Sequence, residues 1–192
     1  MTPQMDLRQN IAFIQEAETA VTLTLDGIIA INRINAEVVK YHTCLQLVSQ
    51  GLERLMKLII CIGELEQQGK LSERDEIKKF GHDLLKLADA VVSFADRIGY
   101  SKSRPAVRED IDFIRGDKQL RELLAILTGF GTRARYYDLD TLLDPKVAER
   151  PDPSVNFERF MDDIQRRSRD PQAIIGMPDY RAAKAELTET LQ

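Results

Sequence analysis

Three short polar segments carry residue types that can do chemistry. In Gly51-Leu52-Glu53-Arg54-Leu55-Met56-Lys57, Glu53 and Lys57 stand four apart with the acid first. That is the favourable order for an ion pair along a helix. The pair is either a solvated surface bridge or the polar wall of a cleft. Arg54 falls at the edge of a broad apolar arc, where a cation needs a partner. The second segment is Lys78-Lys79-Phe80-Gly81-His82-Asp83. His82 lies opposite the apolar face of Leu84, Leu87 and Val91, by a predicted helix start. The positive end of a helix dipole disfavours an imidazolium, so a neutral His82 there suits a general base or a ligand contact. It suits equally a helix-start residue without chemistry. The third segment, Arg133-Ala134-Arg135-Tyr136-Tyr137-Asp138-Leu139-Asp140, follows a predicted helix break at Gly129-Phe130-Gly131. Arg133 and Arg135 beside Tyr136 can hold a phosphate and stack on a base. The same residues can instead form an arginine–aspartate network that pins a loop. His42 reads as a boundary residue.

Other chemistries find little support. There is no phosphate loop, Gly-x-Gly-x-x-Gly, Gly-x-Ser-x-Gly or His-Glu-x-x-His. A carboxylate-bridged metal site in a helical bundle uses Glu-x-x-His, and Val39 and Lys79 stand three residues before His42 and His82. Two cysteines, Cys44 and Cys61, exclude a disulfide scaffold and a four-cysteine zinc site. Cys61 sits among Ile and Leu and reads as inert core, because a reactive thiol needs an accessible, electropositive setting. No metal and no cofactor is expected.

The 192 residues carry 27 Lys plus Arg against 31 Asp plus Glu, a net charge of −4. That excludes a strongly basic nucleic-acid binder but leaves room for a local basic face. From Arg97 to Tyr137 there are nine basic and five acidic residues, with Tyr100 among them. A polyanion-binding face is one reading of this excess, and a solvated face is the other. No run approaches the ~20 apolar residues of a membrane span, and no N-terminal stretch reads as a signal peptide. The expectation is a soluble, cytoplasmic protein without a membrane partner.

The elements that must position these residues are helical almost throughout. Leu45, Val48, Leu52, Leu55, Ile59 and Ile62 alternate spacings of three and four, which predicts a helix from Thr43 to about Gln68. A second apolar row, Leu47, Gly51, Leu58, Cys61 and Leu65, makes this helix central, with neighbours on more than one side. Its polar face is Gln46, Gln50, Glu53, Lys57 and Glu64. Phe13, Ile14, Ala17, Val21, Leu25 and Ile28 predict a first helix, which Asp26-Gly27 either interrupts or does not. A short helix capped by Ser72 should end near Gly81, and another should run from His82 to Ile98. Pro105 opens a further helix and Gly116-Asp117 another. Asp144-Pro145 and Pro151-Asp152-Pro153 mark a change of character. Two amphipathic segments follow, lined by Phe157, Phe160, Met161 and Ile164, then by Tyr180, Ala183, Leu187 and Leu191. The expected organisation is an all-α, up-and-down helical bundle over 1–144 with a small helical extension over 145–192.

Together the three polar segments resemble a group of bacterial helical proteins similar to HEPN domains. The resemblance rests on Gly51–Leu58, Phe80–Leu84 and Arg135–Asp138, and spans roughly Thr43 to Leu143. It implies a four- or five-helix bundle, a homodimer, and a place in a phage-defence or toxin–antitoxin system. It implies either ribonuclease activity or binding of RNA, a nucleotide or a partner protein. Active HEPN ribonucleases carry an Arg, four to six residues, then a His. Here the permitted positions hold Asn35, Ala36 and Glu37 before His42, and Asp75, Glu76 and Ile77 before His82. Two functional readings follow. In one, His82 is the catalytic candidate, and Glu53, Lys57, Arg133, Arg135 and Tyr136 bind RNA or a nucleotide, with or without cleavage. In the other, the protein is a non-enzymatic helical adaptor that meets its partner through the C-terminal extension.

Overall fold

The computed structural model describes residues 5–33, 41–100, 105–132, 137–144, 146 and 153–168. Of these, 88% are helical, and no strand occurs among them. The helices are α1 (Leu7–Arg33), α2 (Tyr41–Gln68), α3 (Arg74–Lys78), α4 (Leu84–Arg97), α5 (Pro105–Gly116), α6 (Lys118–Thr132), α7 (Tyr137–Leu143) and α8 (Pro153–Ser168). The chain divides into two compact units, Met1–Ser154 and Val155–Gln192. No helix among the described residues is long and apolar enough to cross a membrane.

The helix ends are set by local chemistry. Asp6 and Gln9 form a reciprocal capping box. The Gln9 amide donates to Asp6 Oδ1 at 2.8 Å, and the Asp6 amide donates to Gln9 Oε1 at 2.9 Å. Asp83 caps α4 by accepting from the Lys86 amide at 3.1 Å, and Asp117 caps α6 by accepting from the Leu120 amide at 2.6 Å. Positive φ at Gly69, Gly81 and Gly99 lets the chain leave helices where a side chain would be strained.

One open alternative is decided and two expectations change. α1 runs unbroken through Asp26-Gly27, because Gly27 lies against α2: a Cβ there would stand 2.6 Å from Val48 Cγ2. α3 starts after Glu73 with no side-chain cap, and the Ser72 hydroxyl is buried instead of capping. α6 continues through Gly129-Phe130-Gly131 to Thr132, because Phe130 is fully buried and holds the last turn to the core.

In the first unit α2 is the central helix, packing against α1, α4 and α6; α4, α5 and α6 pack on one another. Leu45, Leu84, Leu87, Leu127 and Phe130 are its most deeply buried large side chains. α1 approaches α2 closely because both present small residues. A Cβ on Gly51 would lie 2.7 Å from the Thr24 amide nitrogen and 2.8 Å from the Ala20 carbonyl. At the other end of α2, Gly63 makes room for the Phe94 ring of α4. In α8, Phe157 and Phe160 are buried, their ring centroids 6.3 Å apart. The segment carrying Tyr180, Ala183, Leu187 and Leu191 lies outside the described residues.

Candidate functional site

Ser49, Glu53 and Lys57 are spaced by four and therefore share one line along α2. That line faces the turn between α3 and α4 and the end of α6. Ser49 is buried and donates from Oγ to the Leu127 carbonyl at 2.8 Å, tying α2 to α6. One turn on, the Glu53 carboxylate is shared between two partners. Lys57 Nζ donates to Oε1 at 2.6 Å, and His82 Nδ1 lies 2.7 Å from Oε2. Lys57 Nζ also donates to the Gly81 carbonyl at 2.7 Å.

The turn is built to reach this line. Gly81 takes φ +56°, and the Asp83 amide then donates to the Phe80 carbonyl at 3.2 Å. His82 is left as the residue before the α4 cap. Burial alone would push the Asp83 carboxyl up. Hydrogen bonds from the Lys86 and Leu85 amides, with the Lys86 side chain 3.1 Å away, together pull it below its ordinary value. The cap thus stays ionised and fixes the helix start beside His82. α6 closes the third side: a Cβ on Gly131 would stand 3.2 Å from both His82 Cβ and Ser49 Oγ. Thr128 Oγ1 accepts from the Leu84 amide at 3.0 Å, locking the start of α4 to the same end of α6.

Exposure follows the roles. The Glu53 side chain keeps 13% of its accessible surface and Lys57 22%, whereas His82 keeps 53%. A largely buried carboxylate orients a half-exposed imidazole through Nδ1. When Nδ1–H donates to Glu53, the lone pair is on Nε2, the nitrogen left to meet a ligand. This carboxylate–histidine pair can accept a proton from a bound hydroxyl.

Two of the three polar segments therefore meet. Glu53, Lys57 and His82 form one hydrogen-bonded cluster, and the polar strip of α2 lines a three-sided junction. Arg133, Arg135 and Tyr136 lie outside the described residues. Sequence reasoning missed Ser49, the Gly81 carbonyl and Gly131. The spacing of four from Ser49 through Glu53 to Lys57 was the available signal for the first. Backbone roles left none.

Arg54 and His42 have partners within the fold. Arg54 finds its partner in Glu16 of α1, 2.6 Å away. His42 packs edge-on against Phe130, with ring centroids 5.4 Å apart. Among the described residues of the basic stretch between Arg97 and Tyr137, four arginines meet acids, three of which lie outside that window. Arg97 bridges Glu64, Arg115 bridges Asp96 and Asp112, Arg121 bridges Asp89, and Arg108 reaches Asp112. Burial pushes the Cys61 thiol up, and the neighbouring Ser72 hydroxyl pulls it only part of the way back; the residue is half-buried and not part of the core, where Cys44 lies instead. No group of three His, Cys, Asp or Glu side chains among the described residues is arranged to hold a metal ion. No family model, curated protein or solved structure matches the chain.

Proposed function

We propose that this protein is a HEPN-like, up-and-down helical bundle that binds RNA or a nucleotide, as a homodimer, in a bacterial defence or toxin–antitoxin setting. The observation that carries the reading is the Glu53–Lys57–His82 cluster. Residues from two separate polar segments share one carboxylate, and a half-exposed imidazole is oriented by it.

The cluster supports a route to phosphodiester cleavage. His82 Nε2 takes the proton of a ribose 2′-hydroxyl, whose oxygen attacks the adjacent phosphorus. The P–O5′ bond breaks, and the departing 5′-oxygen takes the proton back from the imidazolium. The products are a 2′,3′-cyclic phosphate and a 5′-hydroxyl. Charge on the phosphoryl oxygens needs a cation in place. Lys57 is engaged by Glu53 and Gly81, so Arg133 and Arg135 are assigned that role, with Tyr136 stacking on a base.

The test is an assay on purified protein with a labelled tRNA pool in EDTA, beside His82→Ala and Glu53→Gln. Cleavage that falls at least 100-fold in both variants establishes a metal-independent ribonuclease. Salt-sensitive binding without cleavage, weakened in the variants, establishes a binding protein. Neither cleavage nor binding overturns the reading.

A second reading, a non-enzymatic adaptor, is favoured by one specific observation. α1 exposes large apolar residues along its whole length, among them Leu7, Ile14 and Leu25. Patches of that size mark interaction surfaces.

A further inference from the structure

α1 carries two lines of residues with the same seven-residue spacing. Phe13, Ala17, Ala20, Thr24, Gly27 and Ile31 turn inward, and the small members of this line permit the close approach to α2. Leu7, Ile11, Ile14, Val21, Leu25 and Ile28 alternate spacings of four and three, and every one is between 44% and 76% exposed. Glu18 occupies the remaining position of this outer line, and Ile29 widens it at one end. A 3.5-residue period sustained over three heptads is the seam of a helix pair. The outer line is about 32 Å long at 1.5 Å per residue.

We infer that this outer face of α1 is where two copies of the chain join, with their α1 helices antiparallel. The homodimer belongs to the reading proposed above; the surface, the orientation and the role of Glu18 go beyond it, and none depends on RNA binding. The area fits a second copy. The seven exposed apolar residues alone present on the order of 600 Å² per copy, against about 800 Å² per partner in a standard interface. The face is self-complementary, as a two-fold contact requires: both copies offer a straight aliphatic line with one acid near its middle.

Charge decides the orientation. Parallel helices would set Glu18 directly opposite Glu18, and Arg8 level with Arg8. In an antiparallel pair the a positions face d positions. Ile11 then meets Ile28, Ile14 meets Leu25, and Glu18 meets Val21 of the other copy. The two carboxylates are offset along the axis and can reach out to water. The Asp6 end of each helix lies level with the Arg33 end of the other, and the helix dipoles oppose. Glu18 weakens the pair and sets its direction, as a lone polar seam residue does in coiled coils.

Sedimentation equilibrium of the full chain from sub-micromolar to 100 micromolar concentration is the test. The wild type is expected to be a dimer that dissociates on dilution. Val21→Glu and Leu25→Glu, both at exposed positions, should raise the dissociation constant at least 100-fold while leaving the helical circular dichroism unchanged. Glu18→Leu should lower it at least tenfold, a gain that misfolding cannot mimic. Arg8→Cys should not yield a disulfide-linked dimer under mild oxidation, whereas Gln15→Cys with Thr22→Cys should. A wild type that is monomeric throughout overturns both the dimer and the surface. A dimer that tolerates Val21→Glu and is indifferent to Glu18→Leu overturns the surface but keeps the dimer. Rapid cross-linking through Arg8→Cys overturns the antiparallel order. RNA binding, measured on the same variants, is independent of each of these outcomes.

Discussion

The polar line of α2 and the outer line of α1 are mirror cases. Ser49, Glu53 and Lys57 are polar residues that the fold covers, and Leu7 through Ile28 are apolar residues that it leaves open. Covering the first line is stable because each group has a partner: a carbonyl for Ser49, two donors for Glu53, and a carboxylate and a carbonyl for Lys57. Buried polar groups with partners cost little, and without them they cost the full loss of hydration. Leaving the second line open is unfavourable in a lone chain, since apolar surface gains by leaving water. The polar face of a helix is thus not always its wet face, and the apolar face is not always turned to the chain's own core.

The largest expected effect is on the contact that separates the inner from the outer line of α1. Gly51→Ala places a methyl against backbone atoms of Thr24 and Ala20, which cannot rotate away. It should cost about 3 kcal/mol, read by urea unfolding, whereas a like-sized change outside this contact should not. A stability loss below a few tenths of a kcal/mol would mean that α1 does not lie so close to α2.

Next comes the covered carboxylate. Glu53→Gln keeps the shape but leaves Lys57 beside a neutral amide and removes the charge that orients His82. About 1–2 kcal/mol should be lost at pH 7, less than for a fully buried pair because His82 and part of Lys57 reach solvent. The chemical shifts of the His82 ring should move with it. Unchanged shifts would mean that Glu53 does not hold the imidazole.

Asp83→Ala removes the α4 cap and should cost about 1 kcal/mol at pH 7. The sign with pH follows from its lowered value. A carboxyl depressed by folding contributes stability above its unfolded value, and that stability is lost as pH falls through the folded value. The wild type and the variant should therefore differ in stability at pH 7 and converge toward pH 2. A constant difference across that range would rule out the charged cap. The smallest effect is at Cys61. Its raised thiol should be alkylated more slowly than a free cysteine at pH 8 and should speed up as pH climbs beyond 9. Reaction at the free-thiol rate would show that this part of α2 is open.

Much of this was legible in one dimension. The 3–4 spacing located α2 and α6 to within a few residues, and Asp117 and Pro105 marked helix starts that the structure keeps. The pairing of Glu53 with Lys57 was readable from a separation of four. The pairing of Glu53 with His82 was not, because the two stand 29 positions apart with a short helix between them. Nor was the division of the first helix. Phe13, Ile14, Ala17 and Val21 all count as apolar in a periodicity, yet Phe13 and Ala17 turn toward α2 while Ile14 and Val21 turn away. The break expected at Gly129-Phe130-Gly131 failed for the opposite reason. Two glycines lower helix propensity by about 1 kcal/mol each, and burying Phe130 outweighs that.

Sequence by itself determined the helical class, most helix ends and the short list of polar residues worth attention. All of these depend on neighbours within a turn or two, through capping, spacing and side-chain type. Tertiary structure alone decided that Glu53 is shared rather than solvated, that Arg97, Arg115 and Arg121 meet acids of other helices, and that α1 keeps an aliphatic line open. Those outcomes depend on which helix lies against which face. A periodic pattern says only that a helix has two sides, and packing decides what each side meets.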